Sequence, residues 1–160
     1  MHIFDMHGDI WTDSAVHRAK GERNIIRERH LKRFQAGGMT GGVFIVWVDP
    51  PYTEESPKER FWEIVRAMSA ELWENRDLLE VVDTAADFDA AVRAGRLGIV
   101  PGVEGLSAID DSEDWIYVLD RLGFKLASLT WNDQNALATG VRGDESRGLT
   151  PLGKTVLAKM

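Results

Sequence analysis

Apolar and polar positions alternate along this chain in two rhythms, one extended and one helical. HIFDM at 2–6 is a short extended run cut off by polar residues. IIRERHLKRFQAGG at 25–38 has helical spacing: Ile26, the His30/Leu31 pair and Phe34 fall near one face, and Gly37 and Gly38 stop it. VFIVWV at 43–48 is β-branched and aromatic without alternation, which predicts a strand buried on both faces, and Asp49-Pro50-Pro51 breaks it. A long helix is predicted from Ser56 to Asn75. It opens on Ser56-Pro57 with Glu59 at capping-box spacing, and Trp62, Val65, Met68 and Leu72 form its core stripe. LLEVVDT at 78–84 reads as a short extra strand, followed by a helix over 85–94 closed by Gly95. A strand at 97–103, a helix at 111–122, a strand at 124–130 and a polar loop over 131–148 come next. Thr150-Pro151 then opens a helix that runs to Met160.

Strands and helices thus alternate four times, with no compositional shift that would mark a linker. The pattern predicts one α/β domain over residues 1–160, a parallel sheet covered by helices. In a right-handed βα series all strand C-termini share one rim, and HGD, EG and TWND fall at such ends. That rim is the catalytic face of a (β/α) barrel, and about four βα units make the first half of a (β/α)8 TIM-type barrel.

Composition narrows the partners. An apolar share of 44% with 28% charged residues is that of a soluble globular chain, and the net charge of −7 argues against nucleic acid. The chain has no cysteine, which excludes disulfides and thiolate metal clusters and fits a reducing compartment. No secretion signal is visible, and the longest apolar stretch, GGVFIVWV at 41–48, is too short to span a bilayer. A cytoplasmic protein with no membrane partner is expected.

The candidate chemistry lies in DMHGD. On a strand, His7 and Asp9 point to one face about 6–7 Å apart, so an imidazole and a carboxylate converge as they do around Zn²⁺. Asp5 is placed on the same face one step earlier, where it would orient a ligand from behind. The bland alternative is a turn in which Asp9 or Asp13 caps a short helix. Glu104, directly after an apolar strand and between Gly102 and Gly105, sits on the rim that already carries His7 and Asp9. Trp131, Asn132, Asp133 and Asn135 would line a substrate pocket with a flat apolar wall and amide donors, or Trp131 is a buried plug. His2, His17, His30 and the RGD tripeptide at 142–144 carry no comparable signal.

Taken in order, DMHGD, AGGMTGGVFIVWV, the GVEG strand end at 102–105, LTWNDQN and GLTPLG at 148–153 make the chain resemble the membrane (renal) dipeptidase family, peptidase family M19 of the amidohydrolase-like barrels. The resemblance covers all 160 residues and implies a zinc-dependent dipeptidase. In it His7 and Asp9 would bind one zinc, Glu104 would bridge to a second, and a hydroxide held between the metals would attack the peptide carbonyl of a dipeptide. Many members have His where Trp131 stands, whereas a bacterial branch carries LTWN as here. The family continues into four more strands bearing two further His ligands, a substrate Arg and an acid near the leaving amine, whereas this sequence stops at Met160. The resemblance therefore places these residues in the N-terminal half, holding at most one of the two zincs and inactive alone. Two sheet edges and an apolar face would stay open to a second copy or a complementing C-terminal half. Two other readings stand beside it: a related amidohydrolase acting on N-acyl amino acids or lactones, and a non-catalytic half-barrel that binds a partner chain. The metal is equally open, since N/O ligands also suit Co²⁺ and Mn²⁺.

Overall fold

Val, Ile and Gly build the centre of the sheet. In the computed structural model, which describes residues 2–160, β2 (Met39–Trp47) pairs in parallel with β4 (Leu97–Glu104), from Gly41 opposite Gly98 to Trp47 opposite Glu104. β1 (Ile3–Gly8) lies on the other side of β2. β3 (Leu79–Val81) and β5 (Leu126–Ala127) share the remaining edge of β4, β3 at its start and β5 at its end. Every pairing is parallel, and the result is a curled half-barrel sheet in an α/β fold. The helices are α1 (Ile10–Ala19), α2 (Leu31–Ala36), α3 (Tyr52–Glu55), α4 (Pro57–Glu74), α5 (Ala85–Arg93), α6 (Trp115–Arg121) and α7 (Pro151–Lys159), and a π-helical turn at Ile26–His30 leads into α2. Among the described residues no helix is long and apolar enough to cross a membrane.

β2 is buried on both faces, as its unalternating composition predicts. Phe44 turns to the helices, edge-on to Trp11 of α1 at 5.4 Å and tilted against Phe34 of α2 at 5.8 Å. Val43 and Ile45 take the opposite phase and pack over Gly102 of β4. At the start of the strands Phe88 of α5 lies against Gly41 and Gly98 and edge-on to Phe4, at 5.4 Å between ring centroids. A side chain at Gly41 would meet the Gly98 carbonyl, which the β2–β4 ladder holds in place. Gly41→Ala is therefore expected to destabilise the fold by about 1–3 kcal/mol, read as a lower urea midpoint with an unchanged slope.

Several elements differ from the sequence pattern, each for a local reason. α1 is an additional helix; it buries Trp11, Thr12, Ser14 and Ala15, only one of them large and apolar, so its periodicity is faint. The buried side of α4 is Phe61, Ile64, Val65 and Met68, and Trp62 is instead 36% exposed. Ser56 makes no side-chain cap there because it closes α3 at the same time, donating its main-chain N–H to Tyr52 O at 3.1 Å. The capping box is found at α5, where Thr84 Oγ1 accepts from Asp87 N and Asp87 Oδ2 accepts from Thr84 N. The strand expected at 124–130 shrinks to Leu126–Ala127 between Pro101 of β4, which has no N–H to offer, and the turn at Gly105. Lys125 N–H still donates to Pro101 O and Ser128 N–H to Val103 O, so the segment follows β4 beyond the ladder.

Candidate metal centre

The site begins with an irregularity in β1. Asp5 is opposite Gly42 and Gly8 is opposite Phe44, three steps on β1 against two on β2, so one residue is extra. This corrects the expectation that Asp5 shares a face with His7 and Asp9. Asp5 and Gly8 keep the phase of Gly42 and Phe44, while His7 and Asp9 take the other. Asp5 Oδ1 accepts the main-chain N–H of His7 at 3.0 Å, so it holds His7 through the backbone and not through the imidazole.

His7 Nε2 lies 3.5 Å from Asp9 Oδ1 and 3.4 Å from Glu104 Oε2. One ligand atom from each of the three residues lies within 4.8 Å of the others. Asp9 occupies the N-cap position of α1, but its side chain makes no capping hydrogen bond; only its carbonyl is used, accepting from Asp13 N. Both the helix-start and the ligand readings of Asp9 are thus compatible with its placement. Glu104 is the last residue of β4. After it Gly105 turns at φ +77°, a conformation that favours glycine, and donates its N–H to Ser128 Oγ at 2.9 Å.

Several acids elsewhere meet cations: Asp49 and Glu63 hold the buried Arg60, and Glu71 and Glu74 hold Arg18. Among the described residues Asp9 and Glu104 have no Lys or Arg partner, only the His7 imidazole between them. One nitrogen and two carboxylate oxygens, converging and without a counter-charge, are a donor set that suits a divalent cation. His17, by contrast, lies between Asp13 and Glu22, and His30 bonds Asp13 while stacking on Phe34, which ties them into the packing of α1 and α2.

Trp131 stands edge-on to Trp47 at 5.1 Å, and Trp47 is paired with Glu104. It is 36% exposed, so it is not a buried plug. The Asn132 carbonyl accepts from Arg142 N at 2.8 Å. Asn135 is used by the fold: its Nδ2 donates to Leu129 O and its Oδ1 accepts from Leu137 N and Ala138 N. Asp133 is exposed. Thr12 belongs to the surroundings of the site although no motif marks it. Its hydroxyl donates to Trp47 O at 2.6 Å and accepts from Trp47 N at 3.1 Å.

Comparison with known proteins adds the following. The family described as membrane dipeptidase (peptidase family M19) matches residues 1–160. The dipeptidase ataJ of Aspergillus terreus is 25% identical over 118 residues, 69% of this chain and 29% of that protein. A metallopeptidase from Rhodobacter sphaeroides, solved with a phosphinate mimic of the dipeptide L-Ala-D-Ala, superposes with a TM-score of 0.84 at 20% identity, covering 99% of this chain and 55% of that one. Dipeptidase AC, a metallopeptidase of family M19, does so at 0.83 and 20% identity, covering 99% and 54%. The chain therefore spans about half the length of these solved relatives and shares their fold over that half.

Proposed function

Because the chain belongs to the membrane dipeptidase family, peptidase family M19, we propose that it supplies one half of the active centre of a zinc-dependent dipeptidase. The observation that carries the proposal is the convergence of His7, Asp9 and Glu104 on the C-terminal rim of the sheet, with no Lys or Arg among the described residues paired to the two acids. His7 and Asp9 would hold the first zinc, and Glu104 would reach from it to a second. A divalent ion there supplies Lewis acidity, acidifying water and polarising an amide carbonyl. The protein's own part is to hold the three donors together, with Asp5 tethering the His7 backbone. Trp131 would present a flat apolar wall to a substrate side chain, and Asn132 would offer an amide. The Rhodobacter relative binds a mimic of L-Ala-D-Ala, which makes that dipeptide the first substrate to assay.

Three donors suit one ion. The second zinc, and turnover with it, would need ligands from a further segment or from another chain, so these 160 residues alone are expected to be inactive. The test is calorimetric titration of the chain with Zn²⁺, expected to show one site per chain that chelator empties. Alongside it, L-Ala-D-Ala hydrolysis by the protein from its native source should be lost to chelator and restored by Zn²⁺. Faster turnover of N-acyl amino acids than of dipeptides would favour the amidohydrolase alternative. Failure to take up any divalent metal would overturn the proposal in favour of a non-catalytic half-barrel.

A further inference from the structure

The two acids of the site come from different parts of the fold. Asp9 opens α1, whereas Glu104 ends β4, and β2 stands between them in the sheet. The β1–β2 ladder stops at Gly8 opposite Phe44, while the β2–β4 ladder runs on to Trp47 opposite Glu104. Beyond Phe44, then, the edge of β2 that faces β1 has no strand beside it among the described residues. At Trp47 a side chain takes the strand's place. The Thr12 hydroxyl both donates to the Trp47 carbonyl and accepts from the Trp47 amide, satisfying both main-chain polar groups of that residue with one oxygen. Thr12 is 6% exposed, which keeps water from competing for those bonds.

We propose that Thr12 is a positioning residue of the metal centre, setting the separation of Asp9 and Glu104 by latching the first turn of α1 to Trp47. The path is short and continuous. Asp9 precedes Thr12 by three residues within one helical turn, the hydroxyl joins Thr12 to Trp47, and the sheet pairs Trp47 with Glu104. Asp9 makes no side-chain capping bond, and among the described residues its carboxylate meets the His7 imidazole and no Lys or Arg. Packing through Trp11 and Ala15 buries α1, and Arg18 ties its last turn to Glu71 and Glu74; at its first turn the paired bonds of Thr12 are the directional contact with β2.

The inference rests on the metal centre proposed above, so the probe is the metal itself. Thr12→Val keeps the shape and removes the hydroxyl, and Thr12→Ser keeps the hydroxyl. Titration of the chain with Co²⁺, followed by its visible d–d absorption, is expected to show about 10- to 100-fold weaker binding and an altered spectrum for T12V, by analogy with other groups that orient ligands from behind. T12S should restore both affinity and spectrum. A residue that mattered only for stability would lower the melting temperature of T12V and leave the spectrum of the loaded site unchanged. T12A, which leaves room for a water beside Trp47, decides the matter if T12V does not fold, and it too is expected to bind Co²⁺ more weakly. Wild-type affinity and spectrum in T12V, or in T12A where T12V is unfolded, would overturn the inference alone. No Co²⁺ binding by the unsubstituted chain would overturn it together with the metal centre.

Discussion

Glu104→Gln is expected to abolish divalent-metal binding while leaving the fold intact. Glutamine keeps the length and the polar end of the side chain but loses the anion, and of the three converging donors only His7 and Asp9 then remain to bind. Partners one step removed from a metal typically cost about 10- to 100-fold in affinity, so loss of a direct ligand should exceed that range. The sign of the effect on stability differs with and without metal. In the metal-free chain Glu104 and Asp9 are like charges facing one imidazole, and removing one of them relieves repulsion, so metal-free E104Q should melt no lower than wild type. With Zn²⁺ at about a hundred times its dissociation constant, wild type should gain about 2.7 kcal/mol, roughly 5–10 °C for a domain of this size. E104Q should gain nothing. A thermal scan of both proteins with and without Zn²⁺ reads all four values, and a zinc-dependent rise in E104Q equal to that of wild type would remove Glu104 from the centre.

The second large effect lies far from the rim. Glu71 is fully buried on α4 and accepts from three donors: Arg18 Nη1 at 2.6 Å, Ile26 N–H at 3.1 Å and Asn75 Nδ2 at 3.1 Å. It thereby joins α4 to the last turn of α1 and to the start of the π-helical turn. Glu71→Ala would strand the buried Ile26 N–H, while Arg18 keeps Glu74 and Asn75 Nδ2 keeps the main-chain carbonyl of residue 71, so the expected cost is about 1–3 kcal/mol. That is a large share of the roughly 5–15 kcal/mol that holds a domain together. Chemical denaturation should show the lower midpoint with an unchanged slope. The same network adds acid sensitivity. Hydrogen bonding from Arg18, then from the Asn24 backbone N–H, holds the Glu74 carboxyl below its usual range. A depressed carboxyl contributes stability above its unfolded value and loses it as pH falls through the folded one. Glu74→Gln should therefore flatten the acid limb of the stability profile by lowering the plateau above it, leaving stability at the acid end unchanged.

The parts of the molecule legible in its sequence are those where residue type and environment coincide. The run VFIVWV announces a strand buried on both faces, and Glu104 between two glycines after an apolar strand announces a rim acid. His7 and Asp9 are legible as neighbours on that rim, an imidazole and a carboxylate where an apolar run stops. What stayed hidden depends on pairing partners that a linear pattern does not contain. Glu71 falls on the apolar side of α4 as a charge with no partner in the linear pattern, and it is fully buried because Arg18 and the Ile26 N–H come to it from distant segments. Thr12 and Ser14 face inward on α1, so that helix lacks the apolar stripe by which helices are found. Ser56 has the spacing of a cap but is already committed to closing the preceding turn. Thr12 matters only because the neighbouring ladder ends early, a fact of register and not of composition.

The additional residue in β1 has a consequence for how such a centre is inherited and copied. Whether His7 and Asp9 look toward Glu104 depends on how many residues separate them from Asp5 in the ladder, so the centre is specified by a count as much as by identities. Deleting Met6, which is itself 66% exposed, would shift His7 by one position and turn its ring to the opposite side of the sheet, although every ligand would still be encoded. A scan of point substitutions across this segment would miss that determinant, because no single side chain carries it. For the same reason, grafting Asp-x-His-x-Asp onto a regular strand of another barrel would put the first Asp on the face of the His and lose its hold on the His backbone.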